Sequence, residues 1–288
     1  MMRAKLILIV ASVISLGLSS LAGASPVIRS VGGDSTSDSI LGVRDQFRVD
    51  LGGGAVPGAN GSFGGERFEI NWDGVPDSFS APNNLPSDFF NTTSPRGAEF
   101  LTSGTGVQVS ANSGIAPVEF DNINSTYSST FGVFSAQRLF TPLESNIVDV
   151  SFFIPGTSTP ALVSGFGAIF TDVDLTHSTK IEFFDATNNS LGIFSVPVGT
   201  VESESLSFLG VSFTEGSIIS HVQITSGNTA FGAQINDGTI IGSDSVADLV
   251  VMDDFIYAAP VPEPETYVML LAGLLLLSVV MNRRKKNF

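Results

Sequence analysis

Two short acidic groups are the residues best placed to bind something: Asp172-Val173-Asp174 and Asp253-Asp254. On a strand, residues two apart face the same side, so Asp172 and Asp174 present their carboxylates together. Such a pair repels unless it is solvated or shares a cation. Oxygen donors from a strand end and a second strand suit calcium, a hard ion that takes about six to eight of them. Calcium is therefore the one cofactor the sequence suggests, with Asp172, Asp174, Asp253 and Asp254 as its ligands and Glu69 and Asp73 as weaker additions. The competing reading is that these acids are turn and strand-end residues that accept hydrogen bonds from backbone amides in water.

No catalytic residue can be named. The two histidines, His177 and His221, sit in no HExxH pattern, and the chain has neither a GxSxG elbow nor a GxxxxGK[ST] phosphate loop. Each histidine reads as a surface or loop residue. A pair of acids could serve a glycosidase, but 28 acidic residues offer too many pairs, and their separation in space decides the matter. The single tryptophan, Trp72, shares its expected strand face with Phe68 and Ile70, which favours core packing over a sugar platform. With 23 Phe against three Tyr and one Trp, the aromatic content suits a packed core better than a binding surface.

The elements that would carry these residues are strands. Arg67 to Trp72 and Val148 to Ile154 alternate apolar and polar, and similar runs are Leu162 to Phe170, Lys180 to Phe184, Leu191 to Val198, Leu206 to Phe213, Ile218 to Thr225 and Leu249 to Tyr257. Turn residues such as Pro155-Gly156, Asn188-Asn189 and Asn236-Asp237-Gly238 bound them. The spacing predicts an all-β fold: an antiparallel β-sandwich, jelly-roll-like in form. No stretch between the two ends shows a sustained helical stripe, so no helix is expected there. Residues 52–106 are rich in Gly and Pro, and much of Pro76 to Gly97 should be ordered loop packed on the sandwich through Phe79, Leu85, Phe89 and Phe90. Hydrophobic residues make up 43% and charged residues only 14%, enough to bury a core.

The net charge is −15, and six of the 13 basic residues lie at the ends. Such a body repels phosphate backbones, so nucleic acid is not an expected partner. There is no cysteine, which excludes disulfides, zinc-thiolate sites and a cysteine nucleophile. Both ends look like targeting segments. Residues 1–24 read as a secretory signal peptide: Arg3 and Lys5, an apolar run from Leu6 to Leu18, then small residues with Ala22 and Ala24 at the positions a signal peptidase reads. That leaves about 235 residues, 25–260, as the folded body.

At the other end, Val261-Pro262-Glu263-Pro264 opens a stiff stretch to Thr266; Tyr267 to Met281 is almost wholly apolar; Arg283, Arg284, Lys285 and Lys286 follow. Residues 267–281 are near the short limit for a transmembrane helix, and the basic cluster would stay on the cytoplasmic side. This tripartite tail, 261–288, resembles the PEP-CTERM sorting signal of Gram-negative bacteria. The resemblance implies recognition by an exosortase at the Pro-Glu-Pro stretch, a transient inner-membrane anchor, and a host that makes extracellular polysaccharide. The body is also similar to those of exported bacterial proteins that bear this tail, over Asn71 to Asp77, Ala81 to Pro86, Asp88 to Asn91, Ser94 to Gly97 and Gly165 to Asp174. That second likeness brings no activity with it. Three functions stay open: a non-catalytic surface or matrix protein in contact with exopolysaccharide, a purely structural envelope protein, and an exported polysaccharide hydrolase using a carboxylate pair.

Overall fold

The computed structural model describes residues 25–242 and 245–263. The signal-peptide reading with Ala22 and Ala24, Pro264, the apolar tail and the basic cluster all lie outside them. The strands run β1 (Pro26–Gly32), β2 (Ser62–Phe63), β3 (Arg67–Ile70), β4 (Ala98–Leu101), β5 (Gly106–Val109), β6 (Phe140–Leu143), β7 (Ile147–Phe152), β8 (Ala161–Leu162) and β9 (Gly165–Thr171). They continue with β10 (Lys180–Phe184), β11 (Ser190–Ser195), β12 (Leu206–Phe213), β13 (His221–Thr225), β14 (Ile240–Ile241), β15 (Ser245–Val246), β16 (Val251–Ala258) and β17 (Val261–Pro262). Every pairing is antiparallel. One sheet has the order β1-β12-β9-β16-β3-β2, with β6 joined to β16 at Phe140 and Met252 and β5 beside β6; a second has the order β11-β10-β13-β7-β4.

The two sheets face each other across one large apolar cluster. Phe152 meets Phe166 with ring centroids 6.1 Å apart, Phe100 meets Phe255 at 6.0 Å and Phe183 meets Phe213 at 5.9 Å. Trp72 sits at its centre, 1% exposed, stacked on Phe140 at 4.2 Å and edge-on to Phe90 and Phe255. Its backbone has a positive φ of 59°, so it has left β3 and turns its indole back into the core. Residues 76–97 hold no strand; Leu85, Phe89 and Phe90 close one side of the cluster.

Burial explains the two kinds of strand pattern. In the second sheet β7, β10 and β13 alternate buried and half-buried residues, as strands with one wet face must. In the first sheet β9 and β16 are buried along their whole lengths and β12 at all but one position. Something must cover the outer face of those three: Phe120, Tyr127, Phe131 and Phe231 pack with Val251 at the start of β16, and a helix covers Ile169, Leu206, Phe208 and Ile256.

That helix, α1 (Asp38–Leu51), corrects the expectation that no helix lies between the ends. Ile40, Val43, Phe47 and Leu51 do form a stripe at helical spacing, but it is only four residues wide and is interrupted by charge. Asp38 in the first turn and Arg48 in the last suit the helix dipole, and Gly52 at φ 85° ends the helix with its N–H on the Arg48 and Val49 carbonyls. Ile40 and Phe47 bury against Ile169, Leu206, Phe208 and Ile256. Phe47 lies over Gly167 and Gly210, which are directly paired between β9 and β12. A Cβ at either glycine would stand within 3 Å of the Phe47 ring.

Candidate functional site

β9 ends at Thr171, and the chain turns sharply at Asp172, whose φ is 68°. The turn sends the Asp172 carboxylate inward. Its residue is fully buried, and neither carboxylate oxygen has a hydrogen-bond partner. The Asp172 N–H is held by the Ser205 carbonyl at 2.8 Å, which fixes the turn. Asp174 follows on the loop, half-buried. Asp237 comes from the turn before β14, where its Oδ1 accepts the Leu249 N–H at 2.8 Å. One oxygen from each of Asp172, Asp174 and Asp237 lies within 4.8 Å of the others.

Asp248 supports this group from behind. Its two oxygens accept the N–H groups of Asp174 and Leu175, each at 3.2 Å, strapping the Asp174 loop to the segment that enters β16. The electrostatics are one-sided. Burial pushes the Asp172 carboxyl up to about 9, with Asp174, Asp237 and Asp248 adding repulsion. Burial, then Asp237, Asp248 and Glu202, raise Asp174 to about 7. Asp237 and Asp248 are also raised, chiefly by burial. No arginine or lysine offsets the charge on any of the four. An all-oxygen donor set with no internal counter-charge must hold protons or a hard cation.

Asp253 and Asp254 do not join this group, and the expected four-acid set is corrected here. They lie where the register of β16 against β9 shifts, between Met252 and Phe255. Asp253 is fully buried and has its own work: its Oδ2 accepts the Phe134 N–H at 2.7 Å and the Ser135 N–H at 3.3 Å. Ser135 Oγ lies 3.2 Å from Asp253 Oδ1 and 3.0 Å from Asp254 Oδ1. Trp72 Nε1 donates to the Asp253 carbonyl at 2.8 Å. The pair therefore pins the 134–135 loop and the core tryptophan. Burial, then the Asp254 charge, hold Asp253 well above the usual range, and burial raises Asp254 to about 6. Asp237 stands 65 residues from Asp172; in sequence it was visible only as a turn residue, so nothing but the fold could recruit it.

The weaker candidates have other partners. Glu69 bridges Arg48 at 2.5 Å and Arg67 at 2.7 Å, and Asp73 accepts the Arg138 N–H at 3.2 Å. His177 Nδ1 lies 3.0 Å from Ser195 Oγ, and His221 stacks on Phe184 at 4.6 Å. A cleft of about 530 Å³ opens between the end of α1 and the β2–β3 hairpin, lined by Asp45, Arg48, Val49, Phe63 and Arg67 among others. Arg67 lies over the Phe63 ring at 4.4 Å.

The C-terminal segment leaves the sandwich with almost no linker. β16 ends at Ala258, Ala259 donates its N–H to the Glu66 carbonyl at 2.8 Å, and Val261 and Pro262 pair with Leu162 and Ala161. The described residues end at Glu263, one short of the full Val261-Pro262-Glu263-Pro264 stretch.

An antiparallel β-sandwich whose last strand is formed by Val261 and Pro262 is the class these features define. Residues 260–285 match the family model of the PEP-CTERM protein-sorting motif, so the chain carries that motif and is an exported protein of the exosortase-sorted kind. No curated protein matches it in sequence. Among solved structures it is similar, at 11% identity and a TM-score of 0.26, to a glycoside hydrolase family 43 arabinoxylan arabinofuranohydrolase from Bacillus subtilis, over 54% of this chain and 24% of that one. The tailspike protein 4 enzymatically active domain of bacteriophage CBA120 gives 15% identity and a TM-score of 0.18, over 55% of this chain and 22% of that one. The chain thus aligns with about a quarter of each, and neither likeness bears on activity.

Proposed function

We propose that this is a non-catalytic surface or matrix protein whose sandwich is the cargo of the sorting tail and contacts exopolysaccharide. In this reading residues 1–24 are a signal peptide removed after Ala24. Residues 267–281 hold the chain in the inner membrane, with Arg283 to Lys286 inside. An exosortase processes the Val261-Pro262-Glu263-Pro264 stretch, and the body reaches the cell surface or the medium. The observation that carries it is the join between body and motif: the last core strand ends at Ala258 and Val261 already pairs with β8. A body fused this closely to a sorting signal is delivered by it.

Changing Pro262, Glu263 and Pro264 to alanine in the producing bacterium tests the sorting half. The expected result is loss of tagged protein from the surface and medium, with full-length chain retained in the inner membrane. Unchanged surface delivery would sink the reading.

The exopolysaccharide half rests on the cleft of about 530 Å³ at Arg48, Phe63 and Arg67. Co-sedimentation with the bacterium's own exopolysaccharide should be reduced severalfold by Arg48→Ala. The structural alternative has its own support. Trp72, Tyr127 and Tyr257 are all buried, which leaves no aromatic platform of Trp or Tyr among the described residues. If the unaltered chain does not co-sediment, that alternative replaces polysaccharide contact.

A further inference from the structure

We propose that Asp172, Asp174 and Asp237, supported by Asp248, form a calcium site that clamps the end of β9 to the 236–239 turn and to the segment entering β16. Clustered acids alone would not carry this. The deciding feature is Asp172. It is fully buried, both of its oxygens lack any partner, and one of them stands within 4.8 Å of carboxylate oxygens of Asp174 and Asp237. A buried polar group without a partner costs roughly 1–3 kcal/mol, more when charged, and proteins rarely leave one that way. The nearby backbone donor, the Glu204 N–H, is bonded to the Thr130 carbonyl at 2.8 Å, Asp248 spends its oxygens on the Asp174 and Leu175 amides, and Asp237 spends one on Leu249. The charges acting on Asp172 come from Asp174, Asp237 and Asp248, all negative. A shared cation answers both problems at once.

The donor chemistry selects the ion. All the donors are oxygens, with no imidazole or thiolate in the group, which disfavours zinc and copper. The ligands come from two loops and a strand end rather than from a rigid octahedral cage, and Asp174 is half-exposed, leaving room for water. Calcium accepts such flexible sets of about six to eight oxygens at about 2.3–2.6 Å, whereas magnesium demands near-ideal octahedral geometry.

The test uses the full chain in mild detergent, freed of metal by a chelator and then dialysed. Trp72 lies in the core and is the only tryptophan, so its emission reports unfolding. Calcium at about a hundredfold excess over its Kd should raise the midpoint by roughly 5–10 °C. Magnesium should raise it far less. Asp172→Asn should melt at or above the metal-free unaltered chain, because the amide stands neutral in the core without taking up a proton on folding, and should lose the calcium shift. Asp237→Asn, at a more exposed ligand, should weaken calcium binding by about tenfold or more in a calorimetric titration, and it serves if the first variant does not fold. No calcium shift up to about 10 mM, roughly tenfold above the weak end of extracellular calcium modules, would overturn the site and leave Asp172 as a buried protonated acid. An equal shift in both variants would overturn the ligand assignment. An equal response to magnesium would overturn the choice of ion.

Discussion

A buried carboxyl without a cation beside it holds its proton tightly, and Asp253 and Asp254 lie buried side by side. Both are raised above the usual range by burial, Asp254 to about 6 and Asp253 further, so each binds a proton more tightly in the folded chain than in the unfolded one. A raised folded value contributes stability that is complete below about pH 4, where the unfolded carboxyl also protonates. It is lost progressively from about pH 4 up to the folded values, about 6 for Asp254 and higher for Asp253. Asp253→Asn copies the protonated state: its amide oxygen accepts from Phe134 and Ser135, and its N–H groups face Asp254. In chelator, the variant is expected to match the unaltered chain near pH 4 and to exceed it increasingly as pH rises, by at least about 1–2 kcal/mol near pH 8. Parallel curves would show that the pair does not titrate as described. Trp72 offers a second check at this scale. Trp72→Phe keeps the stacking on Phe140 but leaves the buried Asp253 carbonyl without its donor, for an expected loss of about 1–3 kcal/mol by circular dichroism. The sequence placed Trp72 in the core through its neighbours Phe68 and Ile70. It could not show the turn at φ 59° that brings the indole onto a backbone carbonyl.

At the scale of elements, strands were legible and the helix was not, for one physical reason. A strand with one wet face writes a period of two into the sequence, as β7, β10 and β13 do, and a doubly buried strand writes a short unbroken apolar run, as β9, β12 and β16 do. α1 writes only Ile40, Val43, Phe47 and Leu51 among five charged residues, because it covers a sheet rather than filling a core. Yet the unbroken runs already required a cover for the outer face of the first sheet. The seat of that cover is the glycine pair Gly167 and Gly210, which lets Phe47 approach the backbone. Gly210→Ala would place a Cβ 2.7 Å from the Phe47 ring. Overpacking of this kind costs about 1–3 kcal/mol, read as a lower thermal midpoint. Phe47→Ala alone would open a cavity, but combined with Gly210→Ala it should cost less than the two single changes added together. Strict additivity would show that the helix does not rest on this pair.

Over the whole molecule, topology decides which residues meet, and this is where the sequence falls silent. Asp172 and Asp174 announce themselves as a pair, but Asp237 and Asp248 reach them only because the 236–239 turn and the entry to β16 fold back over the end of β9. Asp253 and Asp254, equally conspicuous in sequence, fall on a register shift and turn to Ser135 instead. The sorting motif shows the converse. Its residues are legible because they are read by an enzyme as a linear string, yet the fold adds a condition: Val261 and Pro262 are paired to Leu162 and Ala161. An enzyme that takes an extended segment into its active site must first free that segment from its strand partner. Two paired residues in a two-stranded pairing of their own hold it weakly, by about 1 kcal/mol on cross-strand values, so the docked and free forms exchange readily. A chain without cysteine allows a clean lock. Val261→Cys with Leu162→Cys joins two positions in register, outside the Pro-Glu-Pro stretch. Oxidised, the double variant is expected to accumulate unprocessed in the membrane fraction, and reduction should restore processing to the level of Val261→Cys alone. Equal processing in both states would mean that the enzyme reads the motif while it is docked on the sandwich.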